Sequence, residues 1–456
     1  LRPGEVRSPG DEAPAAVARA NNLDQRTTAG SRSGMAPEPR APSTPKVALV
    51  LAGGAARGAY EVGVIQHLVE EVAKDLGRNL PLPILCGTSV GAINACTMAA
   101  YADEPVRRSH LMVRYWTKLR IEDILLPGPS NLWGMLRLAL GFGFRPSPAG
   151  AVPKGLFDAA GLSHVLSEAI PFPRIGENLA KGRLEAVSIS TTQLSSGRTV
   201  VFYQRAPGEA PNWRTDPTIV ARAVELRAEH ALASAAIPLF FPPVRIEDDY
   251  YCDGGLRQNV PFSPARKLGA NHLVIIDPSH LGRHAPPPAE ALDPERPPPA
   301  DLALFGKVLN AVFLDHLDHD LDRLVRINSI LEAGTRIAGP DFVDRLNFEL
   351  GHGPREGLRP LRTVLVRSSK NIGVLATDFA HASGFRLRLK GLVGRFLCRM
   401  AEANTETESD LLSYLLFDGN FARQLIELGR ADARAKHEEL CAFFAAAMSP
   451  DATEAA

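Results

Sequence analysis

From residue 46 onward, short continuous apolar runs alternate with segments whose apolar positions recur every three or four residues. "KVALVL" (46–51) leaves almost no polar position to turn toward water, which predicts a strand buried on both faces. "ARGAYEVGVIQHLVEEV" (56–72) carries its apolar residues at helical spacing. The same alternation predicts a strand at "LPILC" (82–86) and a helix at "AINACTMAAYA" (92–102). Further strands are predicted at 183–191, 199–204 and 272–277, and one more at 362–369 within an otherwise helical stretch. Apolar strands alternating with helices give an α/β fold: a three-layer α/β/α sandwich on a mainly parallel sheet, followed by a mostly helical C-terminal part.

Composition adds boundaries to this picture. Residues 1–45 are rich in Pro, Ala, Ser, Gly and Arg and poor in large apolar residues, a composition that cannot offset the entropy of ordering. The expected division is a disordered segment over 1–45, a core over 46–280, a proline-rich loop over 281–300, helices packed on the core over 301–447, and a disordered tail over 448–456. No run of 18 apolar residues exists to form a spanning helix. The first twenty residues carry charges where a signal peptide needs an apolar region, and Met35 offers an alternative start. The 51 basic and 51 acidic residues cancel, so no basic excess asks for a nucleic-acid partner. Five cysteines (86, 96, 252, 398 and 441) are spread without metal-ligand spacing and read as reduced and mostly buried, which suits a cytoplasmic protein.

Between the first strand and helix lies a turn with glycines at 53, 54 and 58, and such a turn gathers backbone N–H groups suited to an anion. It is not a P-loop, since Ala59 and Tyr60 stand where Lys and Ser/Thr are required. Nor is it a dinucleotide fingerprint, because position 55 is Ala. Downstream, Gly87-Thr88-Ser89-Val90-Gly91 fits G-x-S-x-G with a strand before it and a helix after it. That turn lifts a serine hydroxyl clear of a sheet and sets it at a helix N-terminus. A serine needs a base, yet none of the twelve histidines stands out as one. "EDDYYCDGGLRQNVP" (247–261) supplies a carboxylate instead: Asp253, followed by Gly254 and Gly255, at the end of a predicted strand.

These three motifs, in this order, resemble the patatin-like phospholipases, in particular the bacterial type. "ASAAIPLFFPPV" (233–244), Asn259 with Pro261, and the helical "SDLLSYLLFDGNFARQLIELGRADAR" (409–434) add to the resemblance. It implies Ser89 as nucleophile and Asp253 as its general base, a dyad without histidine. It further implies an oxyanion hole from the backbone N–H groups around Gly53, Gly54 and Ala55, with Arg57 and Gly58 in the same loop. Gly87 and Gly91 then shape the nucleophile elbow. The implied activity is hydrolysis of a phospholipid or other acyl-lipid through an acyl-enzyme at a membrane surface, with no metal or cofactor. A Ser-His-Asp α/β-hydrolase, an idle lipid-binding module and an acyltransferase are the rival readings.

Two stretches stand outside this scheme. "FLDHLDHDLDRLVRINSIL" (313–331) gathers His316, His319, Asp315, Asp318, Asp320 and Asp322, but its leucines at 314, 317, 321 and 324 predict an amphipathic helix with those polar residues on the wet face. "NLWGMLRLALGFGF" (131–144) divides between a packed helix and a lid touching lipid, with Arg137 and Arg145 placed to meet anionic headgroups.

Overall fold

The computed structural model describes residues 45–127, 155–208, 211, 213, 218–280, 316–351, 357–382, 391–402 and 406–449. The stretches 131–144 and 285–300 singled out above lie outside the described residues. Nine strands form one sheet: β1 (Val47–Leu51), β2 (Ile84–Thr88), β3 (Ala186–Gln193), β4 (Thr199–Arg205), β5 (Ile219–Ala223), β6 (Val244–Ile246), β7 (Asp249–Asp253), β8 (His272–His280) and β9 (Arg362–Ser368). Their order is β9-β8-β1-β2-β3-β4-β5, with β7 joined to β3 and β6 to β7. Pairing is parallel from β9 through to β3, antiparallel between β3 and β4, and parallel again between β4 and β5. The mainly parallel sheet is therefore as expected, with an antiparallel step at β3.

Alternation along β1 shows both faces covered. Val47, Leu49 and Leu51 enter one apolar cluster, and Ala48, Val50 and Ala52 enter a second. A strand with no exposed face has no use for polar positions, which is why its sequence is an unbroken apolar run. The larger cluster holds α1 (Gly58–His67), α2 (Val90–Ala100), α3 (Pro105–Lys118) and α4 (Ala160–Ala169). It also takes in α7 (Glu406–Leu415) and α8 (Gly419–Ala435) from the C-terminal part. The smaller cluster receives Leu321 and Leu324 from α6 (His316–Ala338), while Asp322, Arg323 and Arg326 of that helix are exposed, as an amphipathic helix requires.

Helix α5 (Ala228–Ser234) is short and lies beneath the site. Where α1 meets α8 the backbones touch: a Cβ on Gly63 would lie 2.0 Å from the Ile426 carbonyl oxygen, and one on Gly429 would lie 2.1 Å from that of Tyr60. Only glycine permits this approach. The second strand runs over 84–88 where 82–86 was expected, because it continues through Gly87.

Candidate active site

Topology brings two strand ends together. Thr88, the last residue of β2, stands opposite Ser190 of β3. Asp253, the last residue of β7, stands opposite Thr191, the next position along. Thr191 and Thr192 also pair with β4, so β7 must occupy the same edge of β3 as β2. Strands β2 and β7 run in opposite directions and end head to head, their last residues one register position apart on β3, which brings the turn at Ser89 to the end of β7.

The elbow is strained and braced. Ser89 has φ 53 and ψ −124, a left-handed conformation that costs a non-glycine residue on the order of 1–3 kcal/mol. A Cβ on Gly87 would lie 2.2 Å from the Gly91 carbonyl oxygen, and one on Gly91 would lie 2.4 Å from that of Leu51. The elbow glycines are thus demanded by backbone contact. The Ser89 N–H donates to Ser234 Oγ at 2.8 Å, and the Ser234 hydroxyl donates to the Ser190 carbonyl at 2.7 Å. Both Ser89 and Ser234 are buried.

Asp253 is fully buried. Its Oδ1 accepts from the Gly255 N–H at 2.7 Å, while Oδ2 has no hydrogen-bond partner among the described residues. Burial pushes the carboxyl up to about 7, against the opposing influence of the Ser89 hydroxyl and the Gly255 amide. The Ser89 hydroxyl is therefore near enough to favour the carboxylate, although the contact does not reach hydrogen-bond geometry in this conformation. Catalytic hydrogen bonds commonly tighten only once substrate is bound. A Cβ on Gly254 would lie 2.2 Å from the Ser190 carbonyl oxygen, so the chain after Asp253 is pressed onto β3. The hydrogen bonds of Ser89 and Asp253 involve no histidine. His230, on α5, is occupied in accepting the Arg227 N–H.

The glycine loop meets the same spot. A Cβ on Gly53 would come within 3.3 Å of Ser89 Cβ and 2.3 Å of Asn259 Oδ1, so a side chain there would have to push the Asn259 amide aside. The Gly53 N–H is already bonded to the Asn259 carbonyl at 3.2 Å, and the Gly58 N–H to that of Ala55. The N–H groups of Gly54 and Ala55 have no acceptor among the described residues. Ala55, with φ 48, is a second strained position in the site. Arg57 is buried, and its guanidinium is taken up by α7: Nε donates to Ser413 Oγ at 2.7 Å and Nη2 to Asp410 Oδ1 at 2.8 Å, with the Tyr414 ring 4.2 Å away.

Behind the loop, Asn94 of α2 donates to Glu61 Oε2 at 2.7 Å and accepts from Trp116 Nε1 at 3.2 Å, tying α1, α2 and α3 together. Burial raises the Glu61 carboxyl well above its usual range, against the opposing hydrogen bonds from Asn94 and the Ala52 backbone. An apolar cavity of about 70 Å³ runs along α2 from Val90, past Ile93 and Thr97, bounded by Trp116, Val165 and Phe417. Reasoning from sequence missed Ser234 as a site residue, although it sits in the small-residue run at 233–236, where a lone hydroxyl is the only polar group.

A strand–turn–helix serine near a buried carboxyl group at the carboxyl end of a mainly parallel sheet defines the class: an α/β protein with, among the described residues, no histidine hydrogen-bonded to that serine. Residues 49–266, just under half of the chain, match the model of the Patatin family, described as patatin-like phospholipase. The chain is similar, at 29% identity over 216 residues, to a cGAMP-activated phospholipase of Pseudomonas aeruginosa (strain BWHPSA011 / Pa011), covering 47% of this chain and 53% of that one. It is 25% identical over 246 residues to lysophospholipase NTE1 of Coccidioides immitis (strain RS), covering 53% of this chain and 12% of that one. Patatin-like phospholipase domain-containing protein 7 of Rattus norvegicus is 26% identical over 238 residues, covering 51% of this chain and 13% of that one. The chain thus spans about half the length of the bacterial relative and about an eighth of the other two.

Proposed function

We propose that this chain hydrolyses acyl esters of lipids with Ser89 as nucleophile and Asp253 as general base. The observation that supports the reading is the head-to-head ending of β2 and β7 on β3, together with a buried Asp253 carboxyl pushed up to about 7 and a strained Ser89 at the end of β2. A base poised near the working pH is what proton transfer from a hydroxyl needs. In the proposed course Asp253 takes the Ser89 proton as the oxygen attacks the ester carbonyl. The Gly54 and Ala55 N–H groups receive the oxyanion, and Asp253 returns the proton to the departing alcohol. Water then repeats the attack on the acyl-enzyme, with Asp253 again as base. Preorganised donors of this kind contribute on the order of 3 kcal/mol each to the barrier.

The lipid substrate is supported by the family and by the apolar cavity beginning at Val90, next to the nucleophile, which offers a seat for part of an acyl chain. No helix among the described residues is long and apolar enough to cross a membrane, and the proposed encounter with lipid is peripheral. The deciding experiment is product analysis on mixed phospholipid vesicles with wild type, Ser89→Ala and Asp253→Asn. Wild type is expected to release fatty acid and both variants none. Release by Asp253→Asn at the wild-type rate would remove the dyad, and acyl groups passed to another lipid alcohol would make the protein a transferase. A parallel arm with cGAMP tests whether the activation named for the bacterial relative extends to this chain.

A further inference from the structure

Arg57 belongs to the loop whose Gly54 and Ala55 amides have no acceptor among the described residues, yet the partners of its guanidinium are on a helix outside the stretch matched to the family, 49–266. Asp410 Oδ1 accepts at 2.8 Å and the Asp410 carbonyl at 3.3 Å, while Ser413 Oγ accepts at 2.7 Å and itself donates to the Asp410 carbonyl at 2.6 Å. The cation is 2% exposed, so without these partners it would be a charge stranded in a low-polarity interior. The helix that follows α7 braces the same unit: Tyr60 Oη donates to Asp432 Oδ2 at 3.0 Å, and Gly63 and Gly429 hold α1 against α8 backbone to backbone.

A left-handed alanine such as Ala55 persists only where its surroundings over-determine it. Two fixed points flank it along the chain: Gly53, two residues back, bonded to the Asn259 carbonyl, and Arg57, two residues on, whose side chain is held by α7. We infer that Asp410 and Ser413 are positioning residues for ester attack: by fixing Arg57 they fix the Gly54 and Ala55 amides, so the C-terminal helix α7 sets how well the oxyanion is received. This inference rests on the oxyanion role proposed above for those amides.

The test uses the full chain with Ser413→Ala, Asp410→Asn and Arg57→Lys, assayed on a soluble short-chain ester and on phosphatidylcholine vesicles. In each variant kcat is expected to fall at least about ten-fold on both substrates, because an oxyanion donor misplaced by a fraction of an ångström acts only in the transition state. KM should stay within about two-fold of wild type, since substrate seating is untouched. The pH midpoint, which Asp253 sets, should not move, and Asp410→Glu should recover part of the rate. Ser413→Ala removes one hydroxyl only and keeps the test decisive if Asp410→Asn does not fold. An active wild type with Ser413→Ala and Arg57→Lys equal to it would overturn this inference alone. A kcat loss matched by a KM rise and a shifted pH midpoint would also overturn it, because that pattern marks general loosening of the site. A wild type inert toward both esters and toward a fluorophosphonate probe would overturn the functional reading and this inference with it.

Discussion

At the scale of single residues, the proposed role of Asp253 as base would couple activity to stability in opposite senses. Its carboxyl titrates near 7, raised from 3.8 by burial, and only the ionised form is a base. Activity should therefore climb as pH rises through about 7 and level off above it; a rate that falls across that range would identify a proton donor instead. For stability the sign is reversed. Between its ordinary pKa and about 7, folded Asp253 holds a proton that the unfolded chain has released, so stability declines as pH rises across that window. Asp253→Asn lacks this decline and should melt above wild type at pH 8, with the gap shrinking toward pH 4; equal melting temperatures at pH 8 would contradict the burial argument. Ser234→Ala would leave the buried Ser89 N–H and Ser190 carbonyl unpaired, at a cost of roughly 1–3 kcal/mol. We expect kcat to fall with KM preserved and Ser234→Thr to restore much of the rate. A Ser234→Ala protein with wild-type kcat would show that the elbow holds itself.

At the scale of elements, Gly429→Ala sets propensity against packing. In an open helix the change would gain about 1 kcal/mol. Here the new methyl would lie 2.1 Å from the Tyr60 carbonyl oxygen, and overpacking of that kind costs roughly 1–3 kcal/mol or more. The expected result is a lower melting temperature, and a higher one would mean that α8 slides freely on α1. Local pattern explains which elements were legible in the sequence. β1 ("VALVL"), the "ILC" that opens β2 and the "LVII" within β8 are unbroken apolar runs, because each is covered on both faces. The helix at 105–118 opens with Pro105 in its first turn, a start signal visible in the sequence. Strand β5 is only half-buried, so its pattern "IVARA" gave no such run. The pairing of β7 with β3 was illegible because register between distant strands is set by long-range contact, not by either strand's own residues. Among the loop residues, a backbone bond to Asn259 decides the fate of the Gly53 amide, and Arg57 finds Asp410 353 positions away. Neither contact leaves a trace in local spacing.

At the scale of the whole molecule, the sheet does not stop where the family match stops. Strand β8 begins at His272 and pairs directly with β1, and β9 at 362–368 pairs with β8 in parallel register. Between these two strands Arg367 Nε donates to Asp277 Oδ2 at 3.0 Å, with side chains 9% and 2% exposed. A chain ending at residue 280 would keep Asp277 and Arg57 but lose Arg367, Asp410 and Ser413, leaving each charge without its ion-pair partner. Breaking one buried pair by removing a partner typically costs about 3–5 kcal/mol, so breaking two approaches the entire stability of an ordinary domain. The same cut would uncover the faces of α1 that α8 covers. Residues 1–280 alone are therefore expected to show no cooperative melting and to bind a hydrophobic dye. Mixing with separately produced residues 301–456 should restore a cooperative transition, because each charged partner is then supplied again. If residues 1–280 melt cooperatively on their own, the charges must find water or each other there, and the C-terminal helices become an accessory to a site that stands without them.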